Sequence, residues 1–132
     1  NPIITSNMER ESAFASIANC DLIYRLPWKR ERDIDSDISA IMKIIPQDIK
    51  GILCGNGVIG MGVKKYCVSE KNKIIVACVD DLPGADTLSL TTYAQPMLKL
   101  ANEVYTRLLL QGKKAASWKA ETVYMKGSLI RR

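Results

Sequence analysis

Apolar residues recur along this chain at two spacings, and each spacing predicts a different element. Over 34–45, Ile38, Ile41, Met42 and Ile45 fall three or four apart, on one side of a helix. Asp33, Asp35, Ser36 and Asp37 supply capping oxygens at its start, and Pro46 ends it. A longer helix is predicted over 92–111. There Met97, Leu98, Ala101, Val104, Tyr105, Leu108 and Leu109 make one apolar stripe, and Gly112 is placed as the stop. A short, partly amphipathic helix fits 8–18, after a loose N-terminal arm over 1–8.

Strand-like runs lie between these helices. Residues 21–26 (DLIYRL) alternate until Pro27, and Ile49–Cys54 leads into Gly55-Asn56-Gly57. Residues 73–79 (KIIVACV) form the strongest strand, after a polar turn at Glu70-Lys71-Asn72. The β-branched content of 58–68 suggests a strand there too, so that 49–68 becomes a hairpin turning on Gly-Asn-Gly and a second hairpin runs into 73–79. Residues 117–130 close the chain as one or two strands. The expected architecture is one α+β domain over 1–132. An antiparallel sheet of four to five strands packs against the 92–111 helix, with the 34–45 helix beside it.

The glycine run also supports an alternative. Gly55-Asn56-Gly57-Val58-Ile59-Gly60 matches G-x-G-x-x-G, Gly62 follows, and Asp80 lies where a ribose-binding acid is expected. In a dinucleotide site such glycines permit a tight turn and close approach of a pyrophosphate to a helix N-terminus. That reading makes the chain a nucleotide- or dinucleotide-binding domain using the Gly55–Gly62 loop. It requires a helix over 58–69, and therefore excludes the hairpin.

Four cysteines stand at 20, 54, 67 and 78, with no C-x-x-C pair to suggest a metal or redox site. Their even count, irregular spacing and the start at Asn1 predict a secreted protein with two disulfides. Of three possible connectivities, Cys67–Cys78 with Cys20–Cys54 suits the hairpin register, which sets Cys67 opposite Cys78. The run from Tyr66-Cys67 to Val76-Ala77-Cys78, followed by a loop and an amphipathic helix, resembles the cell-binding subunits of some AB5 toxins. That resemblance implies a disulfide between neighbouring strands ahead of a central helix.

Charge and composition narrow the function. The chain of 132 residues has no histidine, which excludes Ser-His-Asp and Cys-His catalysis and histidine-held metals. Asp33-x-Asp35-x-Asp37 opens like a calcium loop, but the sixth and twelfth positions are Ile38 and Ile44, so capping explains the acids. The remaining carboxylates form no evident catalytic pair. The net charge of +5 resides in the last twenty positions, where Lys113, Lys114, Lys119, Lys126, Arg131 and Arg132 face Glu121 alone. No apolar run reaches the roughly 18–20 residues of a membrane span.

Trp28 flanked by Lys29, Arg30 and Arg32 has the composition of an interaction hot spot. Trp118, Tyr124 and Lys126 are a second candidate. The expected function is therefore a secreted (extracellular or periplasmic), disulfide-stabilised effector, toxin-associated or inhibitor-like protein. It would bind a macromolecular partner, most simply a protein, without catalysis or cofactor. Its anchors would be Trp28, Lys29, Arg30, Arg32, Lys126, Arg131 and Arg132. A nucleic-acid interface along the basic segment 113–132 is the second alternative.

Overall fold

The computed structural model describes residues 5–17, 22–26, 33–113 and 117–132. In chain order its elements are α1 (Thr5–Ile17), α2 (Ile34–Ile44), β1 (Gly51–Cys54), α3 (Gly57–Ser69), β2 (Ile75–Val79), β3 (Thr91–Ala94), α4 (Met97–Lys113) and β4 (Ser128–Ile130). Helices and strands thus share one chain, as expected of an α+β protein, but the sheet is mixed. Its order is β1-β2-β3-β4, with β1, β2 and β3 parallel and only β4 antiparallel. The antiparallel expectation failed because side-chain alternation is the same in both directions. Direction is set by the connection, and a helix lies between β1 and β2 where a tight turn had been read.

That helix is the main correction. Residues 57–69 are helical even though three valines and three glycines disfavour the state intrinsically. Asn56 caps them: its Oδ1 accepts from the Ile59 amide at 3.0 Å. Gly60, Val63 and Cys67, spaced three and four apart, form the buried face. Tertiary packing of that face outweighs a weak propensity. Cys67 therefore sits on α3 and Cys78 on β2, not on paired strands. Cys54, Cys67 and Cys78 are free thiols. The expected Cys67–Cys78 and Cys20–Cys54 bridges are not formed, Cys20 itself lies outside the described residues, and the toxin-subunit likeness loses the strand pair it rested on.

Other elements fell close to expectation. Asp33 caps α2, its Oδ1 accepting from the amides of Asp35 at 3.1 Å and Ser36 at 3.3 Å. The expected 92–111 helix starts later, because Thr91–Ala94 joins the sheet and Pro96 separates strand from helix. It continues through Gly112 to Lys113, and at 17 residues it does not dominate the two 13-residue helices. It also does not pack on the sheet as expected, for none of its residues is buried. Residues 22–26 pair with no strand, and the 117–130 segment contributes only β4. The arm expected over 1–8 gives way to α1 from Thr5, with residues 1–4 outside the described set.

The core lies between one sheet face and the α2–α3 pair. Ile38 and Met42 from α2, Ile45 just past its end, Val63 and Cys67 from α3, and Cys54, Val76 and Cys78 from the strands form it with Ala85 and Leu90. The alternate strand residues face away: Leu53, Ile75 and Tyr93 are exposed.

Burial pushes the Cys54 thiol up to about 12 from the ordinary 9.0, with Cys78 and then Cys67 adding to the shift. Folding therefore favours the protonated thiol. This stabilisation is complete below pH 9.0, and is lost as pH rises toward 12. We expect the wild type to lose stability more steeply over that alkaline range than Cys54→Val, as read by denaturant midpoints at stepped pH. Parallel curves would show that Cys54 ionises alike in the folded and unfolded chains.

Candidate functional site

Three parallel strands end on the same side of the sheet, so their following loops meet there. Strand β1 runs into Gly55-Asn56, β2 into Asp80-Asp81, and β3 into Gln95-Pro96. Ligands of open parallel sheets characteristically bind at this carboxyl edge, because the loops there are free to vary while the strands hold them in place.

Asp80 is the centre of the edge. Its amide donates to the Tyr93 carbonyl at 3.0 Å, and its backbone takes a left-handed φ of 73°. Aspartate tolerates that region better than most residues, and strain of this kind concentrates at functional positions. Gln95 Nε2 donates to Asp80 Oδ1. Arg10 reaches in from α1: its Nη1 donates to the Gly55 carbonyl at 2.8 Å and lies 3.7 Å from Asp80 Oδ2. Strand β3, the loop after it and helix α1 thus all reach Asp80, and Arg10 links it to the end of β1.

Beside this cluster lies a cavity of about 430 Å³. Arg10 and Gln95 are its polar members, while Val79, Tyr93, Leu100, Val123 and Met125 provide most of its apolar wall. A concave, mostly apolar space with a few convergent polar groups is the usual form of a small-ligand site, and this volume falls in the usual range of roughly 300–1,000 Å³.

The neighbouring Asp81 does structural work instead. Its carboxylate accepts from Arg132 Nη1 at 2.7 Å and Nη2 at 3.1 Å, and from the Thr92 hydroxyl at 2.8 Å. The Arg132 guanidinium and then the Thr92 hydroxyl hold the Asp81 carboxyl below its usual range. Arg132 also donates to the Leu90 carbonyl at 3.2 Å, and so ties the C-terminus to the sheet.

The glycine motif has the strand–turn–helix order that a dinucleotide site needs, but not the cradle. Gly55 does not have a positive φ, so no turn demands it. A Cβ on Gly57 would lie 2.7 Å from Leu82 Cγ and 2.9 Å from the Asp80 carbonyl, so this backbone is already covered where a pyrophosphate would approach. Gly60 does fill its expected role of close helix–strand packing, for a Cβ there would lie 2.5 Å from Cys78 Cβ. A carboxylate at the helix entrance further opposes an anionic ligand. Asp80 stands at the predicted ribose-acid position, with its oxygens beside Gln95 and Arg10.

The remaining sequence candidates are placed only in part. Trp28, Lys29, Arg30 and Arg32 lie outside the described residues. Lys126 and Arg131 are exposed, whereas the Arg132 guanidinium is committed to Asp81 and is not offered to a nucleic acid. Tyr124 is exposed and Trp118 half-buried on the segment before β4. Among the described residues no helix is long and apolar enough to cross a membrane, and no group of His, Cys, Asp and Glu is placed to hold a metal ion.

Sequence reasoning found Asp80 for a different purpose and missed Arg10 and Gln95. Arg10 is 45 positions from its Gly55 partner, a separation that leaves no local signal. Gln95-Pro96 did carry one, because a proline at that point argues for a boundary between strand and helix. No family model matches the chain, and no curated protein matches it.

Proposed function

We propose that this chain is a non-catalytic binding domain for a small, neutral, polar molecule, held at the carboxyl edge of its parallel strands. One observation carries the reading. Arg10, Asp80 and Gln95, from three separate elements, converge beside an apolar-walled cavity at the edge where parallel sheets bind ligands. Arg10 and Asp80 cancel in charge, and their side chains offer both donors and acceptors. Such a set suits hydroxyl groups better than a phosphate. The apolar wall suits a ring or short carbon skeleton attached to those hydroxyls.

This keeps the expectation of binding without catalysis and replaces the macromolecular partner by a small ligand. Export was expected from paired cysteines. With Cys54, Cys67 and Cys78 free, that support is gone, and the proposal assigns no compartment.

The test is a thermal-shift screen of neutral polyols and sugars alongside mono- and dinucleotides. A saturable rise in midpoint is expected with a member of the neutral set and none with the nucleotides. Asp80→Ala should then weaken binding about 10- to 100-fold, the worth of a hydrogen bond to a charged group. Gln95→Ala should weaken it about 10-fold. A nucleotide response with no neutral response, or binding that Asp80→Ala leaves intact, would overturn the assignment.

A further inference from the structure

Helix α4 lies with the wrong side outward for its sequence. Its stripe residues Met97, Leu98, Val104, Tyr105 and Leu108 are exposed, Leu98 at 77%. Its least exposed residues are instead Glu103 and Arg107. Arg107 donates to Glu103 of the same helix at 2.6 Å and to Glu121 at 2.8 Å, so a polar flank ties the helix to the segment before β4.

The sheet has the complementary defect. Its α3 side is buried, while Leu53, Ile75 and Tyr93 on the other side are exposed, Ile75 at 72%. Sheets of parallel strands ordinarily carry helices on both faces. Two uncovered apolar faces therefore stand in one chain, joined through Gln95-Pro96.

We infer that α4 is a two-position lid. In the position described it stands off the sheet, tethered by Arg107 and Glu121. In the other it rolls its stripe onto the open face of β1, β2 and β3. The inference rests on the ligand site proposed above, because the cavity separates the open sheet face from the first turn of the helix, on the side away from its stripe. Val79 and Tyr93 line it from the sheet, and Pro96 and Leu100 from the start of the helix. A bound ligand acts as a wedge that holds α4 off, and an empty site lets it close. Occupancy of the site is thereby converted into exposure of an apolar helix face.

The test needs no ligand. Leu98→Glu combined with Leu108→Lys places good helix formers where each charge suits the helix dipole. Both positions are exposed in the outward arrangement, so there the pair leaves the thermal midpoint unchanged. With the lid closed, the pair lowers the midpoint by ~5–10 °C. Binding of the dye 1-anilinonaphthalene-8-sulfonate, weak in the parent protein, then rises several-fold. Arg107→Gln supplies a second arm. It leaves the midpoint unchanged or higher if the closed position dominates, and lowers it if the tethered position is the only one.

Sedimentation of the parent protein is run in parallel. A monomer whose midpoint falls on the double substitution supports the lid. An unchanged midpoint overturns it, and so does a fall confined to concentrations at which the parent is dimeric, which would assign the stripe to a second copy. A negative ligand screen would leave these readings intact, so failure of the lid and failure of the ligand site are distinguishable.

Discussion

Gly60→Ala lowers the stability of this protein by about 2 kcal/mol, within the range for overpacking a tight interior. The sign is the informative part. In an exposed helix the same exchange stabilises by about 1 kcal/mol, since alanine is the better helix former. Here the new Cβ would lie 2.5 Å from Cys78 Cβ and 2.7 Å from its Sγ. Neither helix nor strand yields easily, because Cys78 is pinned in β2 between β1 and β3. Cys78→Ala does not rescue the variant, for it removes the sulfur and leaves the closer atom. Gly62→Ala is the comparison: its Cβ would clash with the terminal methyl of Ile38, the far end of a side chain, and otherwise make ordinary contacts with Asp35 Oδ1 and Ile38 Cγ1. Urea denaturation of the three variants reads the effect directly. A stabilised Gly60→Ala would mean that α3 stands farther from the sheet than described, and would reopen the glycine run as a ligand loop.

Leu90→Ala should be the more damaging, at about 3–4 kcal/mol of a total stability on the order of 5–15 kcal/mol. Leu90 is fully buried, and its amide donates to the Ala85 carbonyl at 2.9 Å, so the backbone around it is fixed. Truncation leaves a cavity bounded by α3 and β2 that neither element can close. The loss reaches the ligand edge as well, because Leu90 precedes β3 and its carbonyl accepts from Arg132. A midpoint drop with an unchanged denaturant slope is the expected result. A drop below 1 kcal/mol would place Leu90 outside the core.

The two variants share an edge. A Cβ on Gly60 would lie 3.6 Å from Leu90 Cδ2, an ordinary contact. Removing Leu90 leaves the clash with Cys78 in place but opens space beside the new methyl, so the double substitution should depart from additivity.

What the sequence determined by itself was local. The α2 helix was legible from a 3.6-residue period, an aspartate cap and a terminating proline, all of which act within a few positions. The β2 strand was legible from a dense β-branched run between polar turns, and the α4 stripe from its spacing. Asp80 was singled out from its position after β2. The direction of the strands was not legible, because period-two alternation does not distinguish parallel from antiparallel pairing. Nor was the state of 57–69, where valine and glycine propensities pointed one way and burial of Gly60, Val63 and Cys67 decided the other. The same glycines that suggested a phosphate loop prove to be contact points between α3 and its neighbours, a distinction that exists only once Cys78, Leu82 and Ile38 are in place. The rest of the site belongs to the tertiary structure. Arg10 meets Gly55 across 45 residues and Arg132 meets Asp81 across 51, and no local rule links residues that distant until the chain has folded.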